Sequence, residues 1–378
     1  MRVLYIGDRG AGGIANHVNC LAGCLPDGVE RYSINVGGDE EFAGKSGHDV
    51  REWFQIRRVM KTFKPDVVHF HTCCILMALY VRLISLKVRK FESLKVNYQT
   101  LKPSNLQTFK LLCSWHTPTR GKMSWKLRIF FWLLGKDCTF LPVSTPTWEG
   151  LKRWLPYARG EVFFNPIRLE GLKVRKFESL KVDGTLKSSN SQTFKPSNPQ
   201  TFIVGMVGRN AEVKDWPAFC AVAQLIKMDA PNSDLCDFIG VGVAEEEAKG
   251  FGDGAKSVEW KGLQPNGREW IGKMDLFVMT SKSEEMPTVV LECFLEGTPI
   301  CGFMPKGGIC EILQFSKGPV RDAFIAERNC DKLSEIVMDL LAHPEKRQAL
   351  IEDGWQIVQH FDAEKNVKGQ LMRVYERV

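Results

Sequence analysis

Long apolar runs are missing from this sequence, and so are the cysteine pairs that mark a cross-linked or metal-bound fold. No stretch approaches about 20 uninterrupted apolar residues, so we expect no membrane-spanning helix. Residues 1–7 read as a strand rather than as the apolar region and cleavage site of a secretory signal. The twelve cysteines form no Cys-x-x-Cys pair, which favours reduced thiols over a disulfide framework or a zinc site. These absences predict a cytoplasmic protein.

An exact internal repeat interrupts the chain. Residues 86–96 read LKVRKFESLKV, and residues 172–182 repeat them letter for letter. Each copy continues into polar sequence, and nothing outside the two segments matches. We interpret residues 86–110 and 172–202 as insertions of one repeated element, and their polar composition predicts exposed or disordered loops.

The net charge of +7 comes mostly from these two segments, which carry +5 and +4. The rest of the chain is therefore close to −2. A basic excess confined to insertions is weak evidence for nucleic-acid binding. We expect no nucleic-acid partner.

Outside these insertions, the 378-residue chain reads as two halves with the same alternation of elements. Short β-rich runs alternate with amphipathic stretches, which predicts an α/β fold with two Rossmann-like domains facing each other across a cleft. We predict an N-terminal domain over 1–170, an inserted linker over 171–201, a second domain over 202–360 and a final helix over 361–378 that returns to the first domain. The predicted strands are 3–7, 32–36, 67–71, 111–116, 139–143, 162–165, 202–207, 237–241, 258–260, 276–280 and 299–303.

Two glutamates near the end of the predicted strand 276–280 carry the strongest chemical signal. Glu284 and Glu292 are separated by seven residues, and Pro287 marks the turn before an apolar helix. The first carboxylate can accept sugar hydroxyls, and the second can accept the two hydroxyls of a ribose. Between them the first backbone amides of the helix, at Thr288 and Val289, suit a diphosphate.

A pair of basic residues follows the predicted strand 202–207. Gly208 and Arg209 end that strand, and Lys214 comes five residues later. A guanidinium and an ammonium that converge on one diphosphate would neutralise it as a leaving group. Farther on, Gly307 and Gly308 precede a short predicted helix and offer another backbone cradle.

The order and spacing of these motifs resemble the retaining glycosyltransferases with the GT-B fold, often called family four or glycosyltransferase group 1. The similarity spans nearly the whole chain outside the insertions. Two departures are Glu285, where the family usually has glycine, and the segment after Glu311, which lacks the usual Asp-Gly turn. The matching motifs are Gly208-Arg209…Lys214, Glu284…Glu292, Gly307-Gly308-Ile309-Cys310-Glu311, Gly12-Gly13 in the first glycine loop, the segment 65–71 with its two histidines, and Val143-Ser144.

The resemblance implies transfer of a sugar from a nucleoside diphosphate, UDP or GDP, to a hydroxyl acceptor with retained anomeric configuration. Arg209, Lys214 and backbone amides, rather than a metal, would meet the charge on the phosphate, and the chain has no convincing Asp-x-Asp metal motif. His116 matches a family position near the reacting sugar, and Gly12 and Gly13 match its phosphate loop. No cofactor is expected beyond the nucleotide-sugar substrate.

Two further histidines and one aromatic segment have structural alternatives. His69 and His71 alternate along a predicted strand, so at most one faces a ligand, and we favour a structural role for each. Residues 122–136 are aromatic and edged with basic residues, which fits either a buried helix or contact with the inner face of a membrane.

The resemblance implies a glycan or lipid-linked acceptor and a role in cell-surface polysaccharide or glycolipid assembly.

Other functions stay open at this point. A sugar-nucleotide epimerase of the same architecture would need a similar nucleotide site, although the paired glutamates favour transfer. A catalytically impaired nucleotide-sugar-binding protein, disabled by its insertions, is a further alternative. A nicotinamide-dependent oxidoreductase is disfavoured, because Gly7, Gly10 and Gly12 do not have the spacing of a dinucleotide fingerprint.

Overall fold

The computed structural model describes residues 1–8, 13–36, 50–93, 109–117, 121–169, 201–229 and 234–377. The chain divides into two compact units. The first comprises Met1–Pro166 together with Ala363–Val378, and the second comprises Ile167–Asp362. In the described ranges no helix is both long and apolar enough to cross a membrane. Gly12 and most of the second insertion lie outside the described residues.

The first unit is built on a parallel six-stranded sheet. Among the described strands the order is β2-β1-β3-β4-β5-β6, the flavodoxin-like variant of a doubly wound sheet. In this order the chain changes direction across the sheet between β1 and β3. The strands are β1 (Arg2–Asp8), β2 (Glu30–Val36), β3 (Val67–Phe70), β4 (Lys110–Trp115), β5 (Cys138–Pro142) and β6 (Arg159–Gly160).

Hydrophobic residues cover both faces of this sheet. Leu4 and Ile6 of β1 pack into one core cluster, whereas Val3 and Tyr5 pack into another. A strand buried on both faces reads as a continuous apolar run, which is why β1 was visible in the sequence. The helices of the unit are α1 (Gly13–Gly23), α2 (Val50–Phe63), α3 (Ile75–Ser93), α4 (Trp125–Leu134) and α5 (Thr145–Trp154).

The end of the chain completes the first unit. A π-helical turn over Ala363–Val367 leads into a final α-helix over Lys368–Arg377. Tyr375 on that helix is buried, and its hydroxyl donates to the hydroxyl of Tyr5 at 3.0 Å. The same hydroxyl lies 2.9 Å from Nδ1 of His69. The core of the first unit therefore depends on residues more than 300 positions away in sequence.

The second unit contains another parallel six-stranded sheet. Its described strands run in the order β14-β12-β10-β7-β8-β9, which is the 3-2-1-4-5-6 order of a Rossmann fold. The chain reverses direction across the sheet between β7 and β10, and ligands bind at such switch points. The strands are β7 (Phe202–Val207), β8 (Cys236–Val241), β9 (Val258–Trp260), β10 (Leu276–Met279), β12 (Ile300–Phe303) and β14 (Phe324–Ile325), and a separate pair is formed by β11 (Ser283–Glu284) and β13 (Lys306–Gly307).

The described part of the second unit contains eight α-helices. The helix Trp216–Met228 follows β7 and buries Trp216, Phe219 and Val222. The other helices are Glu245–Ala248, Gly267–Ile271, Thr288–Glu296, Ile309–Leu313, Pro319–Asp322, Cys330–Ala342 and Pro344–Val358. The predicted α/β fold with two Rossmann-like domains is thus confirmed for each unit, although the first unit has the flavodoxin-like strand order.

The prediction of a strand over residues 162–165 is wrong. Phe163 donates to the carbonyl of Pro142 at 2.8 Å, so this segment still runs beside β5. Proline has no N–H, and Pro142 therefore cannot return a hydrogen bond to continue the ladder. The regular pairing is confined to β6, over Arg159–Gly160.

The insertion boundaries also need correction. Residues 86–93 are not a loop, because α3 continues without a break from Ile75 to Ser93. Leucine, lysine, arginine and glutamate in this stretch are good helix formers, and their propensity extends the preceding helix. Lys110 and Phe202, assigned to the insertions, begin the strands β4 and β7.

Candidate functional site

The loop after β7 places Gly208 and Arg209 at the carboxyl end of the sheet. The amide of Gly208 donates to the carbonyl of Val241 at 2.9 Å, so the loop begins as an extension of β7 beside β8. Arg209 is exposed, and its carbonyl accepts a hydrogen bond of 3.2 Å from the indole of Trp216. The backbone is thus fixed by its neighbours while the guanidinium side chain faces solvent.

Lys214 folds back over Gly208. It ends a single 3₁₀ turn, Glu212–Lys214, and Asp215 follows in the left-handed region with φ of 54°. A side chain at Gly208 would meet Cδ and Cε of Lys214 at 3.4 Å. At this distance an added Cβ would make an ordinary van der Waals contact, so the lysine stem packs directly over Gly208.

Lys214 forms an ion pair with Glu284. The distance from Nζ to Oε1 is 2.6 Å, and the side chains are only 16% and 14% exposed. An ammonium has three donors, so one contact with a carboxylate leaves two for other oxygens. The pair brings together two residues 70 positions apart, at the ends of β7 and β10, which flank the switch point of the sheet.

Glu284 is held by the glycine turn at 307–308. Strand β11 pairs with β13, and the amide of Gly308 donates to the carbonyl of Glu284 at 2.9 Å. Gly307 has φ of 122°, and a Cβ there would lie 2.0 Å from the carbonyl oxygen of Glu284. Only glycine fits this close approach. The two motifs that the sequence suggested separately are therefore one structural feature.

The helix Thr288–Glu296 begins four residues after Glu284. Pro287, which is buried, occupies the position before the helix and provides no side-chain cap for its first amides. Thr288, Val289 and Glu292 are partly exposed, and Glu292 lies in the second turn. No side chain caps the first backbone amides of this helix, and the residues that carry them are partly exposed. An anion-binding site requires both features.

Glu285, which departs from the family pattern, has ordinary backbone geometry. It is 9% exposed, and its φ is not positive. The backbone at this position therefore does not require the glycine that the family usually has. The departure leaves the pairing of β11 with β13 intact.

Sequence reasoning missed the residues that fasten the Lys214 turn to β10. The hydroxyl of Thr280 contacts the carbonyls of Lys214 at 3.1 Å and Asp215 at 3.0 Å. Arg328 forms an ion pair with Asp215 and donates to the carbonyl of Thr280 at 2.6 Å. Nothing in the local sequence around Arg328 signals this role, because its partners lie 48 and 113 residues away.

His116 lies in the first unit, immediately after β4. Its ring stacks on that of His71 with ring centroids 5.8 Å apart. It also meets the ring of His17 in an edge-on arrangement, with ring centroids 4.5 Å apart. Gly13 begins α1, the helix that carries His17, while Gly12 is outside the described residues. His69 serves the core, with Nδ1 against Tyr375 and Nε2 2.9 Å from the hydroxyl of Ser114.

Comparisons with known proteins agree with this geometry. Residues 201–343 match the family model described as Glycosyl transferases group 1. Three solved structures have a similar fold. These are Alr3699/HepE of Anabaena in complex with UDP-glucose (15% identity, TM-score 0.69, 100% of both chains), sucrose-phosphate synthase from Thermosynechococcus elongatus (14%, 0.64, 100% of this chain and 98% of that one) and WaaG, a glycosyltransferase involved in lipopolysaccharide biosynthesis (10%, 0.59, 100% and 99%). A search of curated proteins found no match.

The family match over residues 201–343 agrees with the resemblance seen in the sequence. The chain as a whole has the GT-B fold, with two Rossmann-like units. The matched region contains the Gly208 loop, Lys214, Glu284, the helix Thr288–Glu296 and the glycine turn at 307–308.

Proposed function

We propose that this chain transfers a sugar from a nucleoside-diphosphate sugar to a hydroxyl acceptor with retention of anomeric configuration. The observation that supports it most is the Lys214–Glu284 ion pair at the switch point of the second sheet. UDP is the first nucleotide to test, because the structurally similar Alr3699/HepE was solved with UDP-glucose. GDP is the second.

Each side chain of the donor site has a distinct task in this proposal. Lys214 and Arg209 contact the diphosphate and stabilise the negative charge that develops as it leaves. Glu284 accepts hydroxyls of the transferred sugar, and Glu292 accepts those of the ribose. The first amides of the helix Thr288–Glu296 contribute partial positive charge to the phosphates. These cationic groups and amides make a metal unnecessary at the leaving group.

Replacing Lys214 tests this assignment. Lys214→Ala removes a charge that acts on the departing diphosphate, so we expect kcat for sugar transfer to fall by about 10²- to 10³-fold. The nucleotide-sugar affinity, measured by calorimetry, should change much less. Lys256→Ala is a matched control, since Lys256 is 81% exposed in the same unit and pairs with Asp253. Equal kinetics for Lys214→Ala and Lys256→Ala would refute the role of Lys214.

The proposed acceptor is a glycan or a lipid-linked glycan in the assembly of cell-surface polysaccharide or glycolipid. The structural similarity to WaaG, a glycosyltransferase involved in lipopolysaccharide biosynthesis, supports this class of acceptor. In this proposal the protein acts in the cytoplasm, at the inner face of the membrane. His116 is the histidine proposed to contact the reacting sugar.

The helix α4 is the proposed membrane contact. Its inner face buries Phe130, Phe131 and Leu133 in the core, while Trp125 and Trp132 are 66% and 69% exposed. The inner face agrees with the buried-helix alternative for residues 122–136, and the exposed tryptophans support the membrane alternative for the outer face. Exposed tryptophans among basic side chains suit the interface of an anionic bilayer. The basic residues of this surface are Lys122, Lys126, Arg128 and Lys136, and all four are exposed.

Vesicle binding tests the membrane contact. The protein should sediment with vesicles containing anionic lipid and much less with purely zwitterionic ones, because about 1 kcal/mol per basic residue comes from the surface potential. The double variant Trp125→Ser/Trp132→Ser should release it. A control variant, Leu263→Ser, changes a residue that is 81% exposed in the second unit. Release by the control and not by the double variant would locate the contact elsewhere.

A further inference from the structure

A cleft of about 470 Å³ in the first unit is lined by residues of α4, of the loop before it and of the end of α5. Phe131 of α4 lines this cleft and is also part of the buried core. The indole of Trp154 donates to the carbonyl of Gly121 at 3.1 Å, which fastens the end of α5 to the loop before α4. Core packing and this hydrogen bond therefore hold the walls of the cleft in place.

The charge of this cleft has one sign. Lys122 of the loop, Arg128 of α4 and Arg153 of α5 all line it, whereas its described lining residues include no carboxylate. All three side chains are exposed, and in the described ranges no ion pair neutralises any of them. Cations gathered around a concave surface raise the local concentration of anions. The cleft therefore suits an anionic ligand.

The two arginines favour phosphate as the anion. A guanidinium presents paired donors that match two oxygens of one phosphate group. Tyr157 also lines the cleft, and its hydroxyl is a further donor. A phosphomonoester carries a charge of about −1.5 to −2 at pH 7, which exceeds the charge of a phosphodiester. Three cations therefore favour a monoester.

The apolar surroundings of the cleft indicate a lipid as the carrier of this phosphate. Trp132 lines the cleft and is 69% exposed, and Trp125, two turns earlier on α4, is 66% exposed. Met123 adds an apolar side chain to the lining. A lipid whose phosphate occupies the cleft places its apolar part beside the tryptophans, which suit the interface of a bilayer.

We propose that this cleft binds the phosphomonoester headgroup of an anionic membrane lipid, with Arg128 and Arg153 on the phosphate. The inference rests on the membrane contact proposed for α4, and not on sugar transfer. It goes beyond that contact because a second helix, α5, supplies one of the phosphate ligands. A diffuse attraction to an anionic surface depends on the number of basic residues. A headgroup site depends also on where each cation lies and on the geometry of its donors.

Binding to two kinds of vesicle tests the proposal. One kind contains phosphatidic acid, a phosphomonoester, and the other contains phosphatidylglycerol, a phosphodiester, at fractions that give the same zeta potential. The wild-type protein should bind the phosphatidic acid vesicles more tightly. Arg153→Lys keeps the charge but loses the paired donors, so it should weaken binding to phosphatidic acid by about 10-fold and leave binding to phosphatidylglycerol unchanged. Circular dichroism and thermal unfolding establish that the variant is folded.

Lys152→Ala is the matched control. Lys152 is the exposed cation next to Arg153 on α5, but its Nζ lies 4.7 Å from the ring centroid of Trp148 and it does not line the cleft. The loss of this one charge should weaken binding to both kinds of vesicle alike, by no more than about fivefold. Water-soluble dihexanoyl phosphatidic acid should compete with the phosphatidic acid vesicles, whereas inorganic phosphate at the same concentration should not.

Three results would overturn the proposal: no preference for phosphatidic acid vesicles, equal effects of Arg153→Lys and Lys152→Ala, or competition by inorganic phosphate as strong as by the short-chain lipid. The last result would assign the cleft to a soluble phosphate. Release by Trp125→Ser/Trp132→Ser without any effect of Arg153→Lys would leave the membrane contact of α4 standing and remove the headgroup site. The assay needs no sugar donor, so its outcome is independent of the proposed transferase function.

Discussion

Cys310 is the exposed member of the twelve cysteines, and it lies two residues beyond Gly308 in the glycine turn of the proposed donor site. Most of the others are buried, and burial raises the pKa of the partly exposed Cys73 to about 11. A thiol reacts as its thiolate, so a buried thiol with a raised pKa reacts slowly. The position and exposure of Cys310 therefore make it a chemical reporter for the donor site.

We predict that iodoacetamide labels Cys310 first in the folded protein, and that a bound nucleoside diphosphate slows this labelling. Mass spectrometry of digested samples measures the labelled fraction at each cysteine. Cys310→Ser serves as the control and should remove the fast phase. Fast labelling at a buried cysteine such as Cys293, or no protection by any nucleotide, would contradict the placement of the donor site.

The sequence indicated some residues of the proposed donor site and missed others. Lys214 and Glu284 could be proposed from sequence because each stands in a recognisable local pattern, and the structure pairs them. Arg328 and Thr280 could not, because their role depends on contacts with the Asp215 turn across long sequence separations. The cluster of His17, His71 and His116 was missed for the same reason. Only the strand order brings the three rings together.

At the scale of elements, the β11–β13 pair joins two loops that are separate in sequence. Its geometry depends on Gly307, whose φ of 122° and close approach to the carbonyl of Glu284 exclude a side chain. This close approach of two backbones explains why the proposed donor site contains a glycine turn. Short pairs such as this one have no periodic pattern, and the sequence therefore did not predict them.

We predict that Gly307→Ala destabilises the second unit by about 1–3 kcal/mol and weakens nucleotide binding, because the backbone must move away from Glu284. Urea unfolding and calorimetry measure the two effects. Gly262→Ala is the matched control, since Gly262 has φ of 63° but nothing within 4 Å of an added Cβ. Equal effects from both substitutions would show that left-handed backbone alone, and not contact with Glu284, sets the cost.

At the scale of the whole molecule, the alternation of strands and helices was sufficient to predict two α/β domains. Buried strands such as β7 and β8 appear as apolar runs, and helices such as Trp216–Met228 show clear spacing. The strand order of the first unit was not predictable, because parallel neighbours are set by crossover connections rather than by local sequence. High helix propensity also extends α3 through residues 86–93, which the repeat alone had assigned to an insertion.

The most direct test of the central claim is thermal stability of the purified chain against UDP, GDP, ADP, CMP and NAD. A ligand at 100 times its dissociation constant adds about 2.7 kcal/mol to the free energy of unfolding, which raises the melting temperature visibly. We predict a selective rise with UDP or GDP that Glu292→Ala reduces, because the ribose loses its carboxylate partner. A rise with NAD alone, or no rise with any nucleoside diphosphate in a cooperatively folding sample, would contradict a nucleotide-sugar-dependent glycosyltransferase.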